Sequence, residues 1–158
     1  MKKLIFCCLV VLMGACKDKK ENVEPETDFA ADFAGTYATT TVIPPAKTDF
    51  NWVVTQNAKN QLNIVFTKDT EIAASGSTVS LLQTYKLINV KTTAKDLIEL
   101  DETVDVEQSN GKPLRQKVQG TGTRVVNAGG VTQINITLKL TDASTNNAIE
   151  EYLEFKKK

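Results

Sequence analysis

The stretch TQINITLKL, residues 132–140, alternates without a break: Ile134, Ile136, Leu138 and Leu140 fall on one side, Gln133, Asn135, Thr137 and Lys139 on the other. Period two is the geometry of a strand with one buried and one wet face, whereas a helix repeats roughly every 3.6 residues. The same alternation recurs along the chain. FNWVVTQ places Phe50, Trp52 and Val54 on one face, and QLNIVFT does so for Leu62, Ile64 and Phe66. IEEYLEFKK buries Ile149, Leu153 and Phe155 and leaves Glu150 and Glu154 exposed. Strands are expected at 35–43, 49–56, 61–68, 78–92, 97–108, 114–126, 131–142 and 148–156. The fold class that follows is all-β.

The breaks between these runs carry turn chemistry: PPAK, NAKN, SGS, SNGKP, NAGG and DASTNN. Short connections between successive antiparallel strands predict a meander. A meander of this length closes most economically into an eight-stranded up-and-down barrel, which removes the edges an open sheet would expose. A two-sheet β-sandwich is the alternative. Gly120 and Gly122 share one face of their strand, where glycine permits a sharp bend at a barrel corner. Ahead of the first strand, DFAADFAGTY predicts a short helix capped by Asp28, with Phe29 and Phe33 on one side of it, able to plug one end of the barrel.

The first residues read as a leader. Lys2 and Lys3 precede an apolar run from Leu4 to Met13, about half the roughly 20 residues that a membrane-spanning helix needs. Residues 1–15 are therefore expected to be a cleaved signal peptide. All three cysteines, Cys7, Cys8 and Cys16, lie in the first sixteen residues, so no disulfide framework is available to the rest of the chain. MGAC, Met13 to Cys16, resembles the lipobox of bacterial lipoproteins. That resemblance implies cleavage before Cys16, acylation of its thiol and anchoring of the chain to a lipid bilayer. Multiple acyl chains hold a protein stably at a bilayer without any transmembrane segment. The segment 17–28, KDKKENVEPETD, is too charged to bury a core and predicts a flexible tether. Its opening Lys–Asp–Lys–Lys–Glu resembles the charged export signals of Bacteroidota surface lipoproteins, which implies an outer-membrane location with display at the cell surface. Residues 29–158 remain as one β-barrel domain.

A short helix, then GTY at Gly35–Tyr37, then eight meandering strands resembles the calycin or lipocalin-like lipoproteins of Bacteroidota. Tyr37 stands where the lipocalin signature carries tryptophan. The resemblance implies a barrel that binds one small apolar or amphipathic ligand. If the barrel is open at one end, Tyr37, Trp52 and Phe66 are the natural lining of its cavity; the bland reading of Trp52, the only tryptophan, is simple core.

The chain has no histidine, and beyond Cys16 no thiol, which removes imidazole relays, cysteine nucleophiles and the usual zinc sites. No glycine-rich phosphate loop and no G-x-S-x-G elbow occurs. An enzyme is therefore not expected, and no cofactor or metal is expected. Nineteen basic and nineteen acidic residues cancel, so no clustered basic excess suits a nucleic acid. The one marked charge pattern is DLIELDETVDVEQ. Glu99, Asp101, Asp105 and Glu107 share one face, and Ile98, Leu100, Val104 and Val106 the other.

That acidic face suits a calcium site, a carboxylate pair for glycoside cleavage, or a solvent face paired across a hairpin. With an odd number of residues in the turn around Asn110 and Gly111, Glu107 faces Arg115, Asp105 faces Lys117 and Val104 lies opposite Val118. A two-residue Asn–Gly turn would mismatch both faces, so a longer or bulged turn and ion pairing are expected. Two functions follow. One is non-catalytic binding of a small apolar or amphipathic ligand inside the barrel. The other is a solid barrel acting as a surface interaction or accessory module that contacts a protein or glycan.

Overall fold

The computed structural model describes residues 27–74 and 76–158. The leader, the acylation candidate Cys16 and most of the charged tether lie outside the described residues. A short helix α1 (Ala30–Phe33) leads into eight strands: β1 (Gly35–Ile43), β2 (Ala46–Ala58), β3 (Gln61–Ala74), β4 (Ser77–Ala94), β5 (Leu97–Gln108), β6 (Leu114–Val126), β7 (Thr132–Asp142) and β8 (Ala148–Lys157). Each strand pairs antiparallel with the next, and β8 returns to β1, so the sheet is a closed up-and-down barrel.

Strands β2, β3 and β4 run further than the alternation alone marks out. The sequence predicts a turn over 44–47, but Ile43 already pairs with Ala46, leaving only Pro44 and Pro45 to turn. On β3 the ladder continues through Thr70 to Ala74, opposite Ser77. Threonine and isoleucine fit a pleated surface, so the run ends only where Gly76 supplies a positive φ of 84°.

The closure is uneven. β1 and β8 are joined by two registered pairs, Tyr37 with Lys157 and Ala38 with Lys156, both near the α1 end. Between β4 and β5 the ladder is interrupted from Thr84 to Lys91. A bulge in β4 lies there, because its register with β3 shifts between Leu62 and Ile64. The Glu102 carboxylate bridges the interruption, accepting hydrogen bonds from the backbone N–H of Ile88, at 3.0 Å, and of Asn89.

The β5–β6 hairpin has the expected face but not the expected partners. Val106 lies opposite Leu114, Asp105 opposite Arg115 and Thr103 opposite Lys117. Glu107 therefore does not face Arg115, nor Asp105 Lys117, nor Val104 Val118. β6 begins at Leu114 as expected, after Pro113, which has no N–H for the ladder, but Leu114 meets Val106 instead of Gln108, so the turn is two residues longer. An Asn110 side chain that accepts from Lys112 N–H, and a Gln108 amide that donates to Lys112 O, hold the longer turn.

The interior is filled at the α1 end. Tyr37, Trp52, Phe66, Tyr85, Phe155, Leu62, Ile64, Ile98 and Ile134 have no exposed surface. Burial of each large apolar side chain contributes about 1.5–3 kcal/mol, so this layer dominates the stability of the barrel. Gly120 and Gly122 face inward on β6. A methyl at Gly120 would lie 2.7 Å from the Thr137 carbonyl oxygen, and one at Gly122 would lie 2.9 Å from Ile98 Cγ1, so glycine is what lets β7 and β5 approach so closely. Helix α1 closes this end. Ala30 and Phe33 are buried, and the Asp28 carboxylate accepts from the N–H groups of Ala30 and Asn60. Phe29, rather than Asp28, occupies the cap position, and Asp28 ties the helix to the β2–β3 turn.

Candidate functional site

The register of β1–β4 stacks inward-facing residues into successive layers. Over a layer of Gly35, Val54, Ile64 and Leu87 lies an aromatic one, Tyr37, Trp52, Phe66 and Tyr85, neighbours across three ladders. Above it lie Thr39, Phe50, Lys68 and Gln83, then Thr41, Thr48, Thr70 and Leu81. The last layer, at the lip of the end opposite α1, is Ile43, Ala46, Ile72 and Val79. Polarity thus runs from aromatic floor, through a polar belt, to an apolar lip.

The structure brings Tyr37, Trp52 and Phe66 together in that floor, each fully buried. Trp52 stacks on Phe155 with ring centroids 4.2 Å apart and meets Phe66 edge-on at 6.2 Å. Phe66 stacks on Tyr85 at 4.7 Å. Tyr37 donates its hydroxyl proton to Phe33 O at 2.9 Å, which couples the floor to the plug. Burial pushes its phenol above the ordinary value, and the nearby Arg124 charge opposes that shift. Trp52 Nε1 has no hydrogen-bond partner among the described residues.

The polar belt contains the residues that the sequence reading passed over. Lys68 on β3 and Glu151 on β8 both point into the barrel, Nζ to carboxylate oxygen 3.7 Å, with side chains 14% and 27% exposed. The Lys68 ammonium also lies 5.5 Å from the centre of the Phe50 ring. Tyr85 donates to Gln116 Oε1 at 2.7 Å; burial, and then the Glu151 charge, push its phenol far above the ordinary range. The signal for both charges was parity. Lys68 continues the inward series Leu62, Ile64, Phe66, and Glu151 sits between Ile149 and Leu153.

The lip is open. Inward-facing Ile43, Ile72, Val79 and Ile149 are all exposed, at 71%, 43%, 60% and 57%. Two clefts also lie at this end. One of about 420 Å³ runs between the β5–β6 and β7–β8 turns, lined by Val106, Pro113, Leu114 and Asp142, and one of about 310 Å³ flanks Pro44, Pro45 and Ala46. The Asp142 carboxylate at this rim accepts from the Ser144 hydroxyl and from the N–H groups of Ser144 and Thr145, which hold it below the usual carboxylate range.

Three of the four acids on the outer face of β5 are matched by bases. Asp101 meets Lys117 at 3.0 Å, Asp105 meets Arg115 at 3.9 Å, and Glu107 meets Lys86 of β4 at 2.5 Å. Among the described residues no group of three or more His, Cys, Asp or Glu is placed to hold a metal ion.

Fold and site together define a class: a plugged, closed eight-stranded meander barrel with an aromatic floor and one open, internally charged mouth. No protein-family model, curated protein or solved structure matches the chain.

Proposed function

We propose that the protein is a lipid-anchored envelope lipoprotein whose barrel binds a small amphipathic molecule, without catalysis, in the mouth opposite α1. The observation that carries this reading is the Lys68–Glu151 pair set inside the barrel beneath a ring of exposed, inward-facing isoleucine and valine. A purely structural barrel gains little from an internal ion pair, because desolvation offsets the attraction and apolar residues would fill the same space. Such groups cluster where a ligand is to be held. The tyrosine, tryptophan and phenylalanine of the floor, Tyr37, Trp52 and Phe66, then shape the base of the mouth from below. Acylation of Cys16 would fix the barrel at the outer membrane, and the charged residues that follow it favour the cell surface.

The experiment is native mass spectrometry of the chain with Cys16→Ser, recovered from its own expression host. A retained small molecule that is lost in Ile72→Asp supports mouth binding. Repeated recovery of bare protein counts against it. In the same experiment Cys16→Ser should leave the membrane fraction; a variant that stays membrane-bound at its normal mass would remove the anchoring half of the reading.

The filled aromatic floor favours a second reading, a solid accessory module that contacts a protein or glycan. That reading expects bare protein and a partner footprint on outward-facing residues such as Val42 and Tyr152, which are 65% and 59% exposed.

A further inference from the structure

Inward positions carry few charges: Lys68, Glu102, Arg124, Asp142, Glu151 and Lys157. Four of them are engaged. Glu102 holds the β4 bulge, and Asp142 caps its own turn. Arg124 donates to Asp96 and lies 5.5 Å from the Phe33 ring at the plugged end, where Lys157 donates to Ala34 O. Lys68 and Glu151 have no hydrogen-bond partner among the described residues. They face each other at 3.7 Å, beyond hydrogen-bonding distance, at the depth where polar belt meets aromatic floor.

We propose that the mouth selects a zwitterionic head group, its anion taken by the Lys68 ammonium and its cation by the Glu151 carboxylate, with the apolar part of the molecule against Ile43, Ile72, Val79 and Ile149. This rests on the reading that the mouth binds an amphipathic molecule. The local charge is balanced, and that balance decides the class. An anionic head brought to Lys68 meets Glu151 at close range, and a cationic head brought to Glu151 meets Lys68. A neutral head displaces water from two charges that it cannot compensate. A zwitterion satisfies both ends at once. The shared chemistry has two sources, the head of a zwitterionic lipid or a free apolar peptide with both termini charged.

Isothermal titration of the full chain carrying Cys16→Ser tests this with probes of one chain length below their micelle concentrations: dodecylphosphocholine, dodecanoate, dodecyltrimethylammonium and dodecyl maltoside. Trileucine is the lipid-free zwitterion. The zwitterionic dodecyl probe should bind about tenfold tighter than the other three, the size of one compensated charge contact. Trileucine binding as tightly would place the ligand among free peptides, and its failure beside dodecylphosphocholine would place it among lipids; either supports the assignment.

Glu151→Gln should invert the ranking toward dodecanoate, and Lys68→Met toward dodecyltrimethylammonium, which also shows that each variant is folded. Absence of binding by every probe would overturn the mouth-binding reading and this one with it. Equal binding of all four dodecyl probes would leave the mouth reading standing and overturn the zwitterion. A zwitterion preference that survives both single variants would overturn the roles of Lys68 and Glu151.

Discussion

The Lys68 ammonium lies 3.7 Å from the Glu151 carboxylate across the barrel interior, linking β3 to β8, two strands that share no ladder. The pair sits directly above rings that have no exposed surface, so each charge is partly stripped of water. Removing one partner leaves the other inward-facing and uncompensated. Glu151→Leu should therefore destabilise the fold by about 2 kcal/mol, while Lys68→Met combined with Glu151→Leu should recover most of that loss. Urea unfolding of the three proteins is the measurement. A double variant as unstable as the single would mean that packing, rather than charge, sets the cost.

Glu102 replaces missing ladder bonds with a side chain. Its two oxygens accept from Ile88 and Asn89 N–H where β4 and β5 lose their register. Both residues are exposed, so water can take over when the carboxylate is removed. Glu102→Ala should cost only about 1 kcal/mol in global stability. It should nevertheless speed amide exchange at Ile88 and Asn89 well beyond the change at Leu87 or Thr92. Uniform acceleration across β4 would show that the carboxylate supports the whole strand and not the bulge alone.

The barrel was legible because period two is strict wherever one face is dry. Ile134, Ile136 and Leu138, and likewise Phe50, Trp52 and Val54, are buried in the order in which they alternate. Two kinds of feature were not legible. Strand ends toward the lip, such as Ala46–Thr48 and Asp69–Ala74, alternate in polarity too weakly to be told from loop, because alanine and threonine hold most of their inward positions. Register was the other. Parity around Asn110 sets which residues share a face, but the length of the turn sets which of them meet, and a turn two residues longer moved every pair along the ladder. Of the site, the floor residues could be named from hydrophobicity. Lys68 and Glu151 required the inference that a charge at inward parity is a feature and not the end of a strand.

Stability should fall at both ends of the pH scale, for different residues. Hydrogen bonds from Asn60 and Ala30 N–H hold the Asp28 carboxyl below its ordinary value of 3.8, the Lys47 ammonium and Thr40 hydroxyl do so for Asp49, and Ser144 does so for Asp142. A carboxyl depressed in the folded state stabilises fully above the ordinary range and loses that contribution as pH falls through the folded value. Tyr85 is the reverse case. Burial raises its phenol above 10.0, so its contribution is complete below that value and is lost as pH rises beyond it. Melting temperatures across the pH range should show both limbs, with Asp28→Asn flattening the acid one and Tyr85→Phe the alkaline one. An alkaline limb unchanged in Tyr85→Phe would place the titrating group elsewhere.

On the outer face of β5, ion pairing and metal binding make opposed claims. Asp101 is matched with Lys117, Asp105 with Arg115, and Glu107 with Lys86, so each carboxylate already faces a cation that a metal ion would have to displace. These are exposed pairs: Asp105 and Arg115 retain 88% and 64% of their side-chain surface, and screened contacts of this kind contribute little. Asp105→Asn should therefore cost at most about 1 kcal/mol. Millimolar calcium should leave the melting temperature of wild type and variant alike. A ligand present at a hundred times its dissociation constant would instead add roughly 2.7 kcal/mol. A calcium-dependent rise in melting temperature that disappears in Asp105→Asn would make this strand a metal site and give the outer wall, rather than the mouth, a claim to the function.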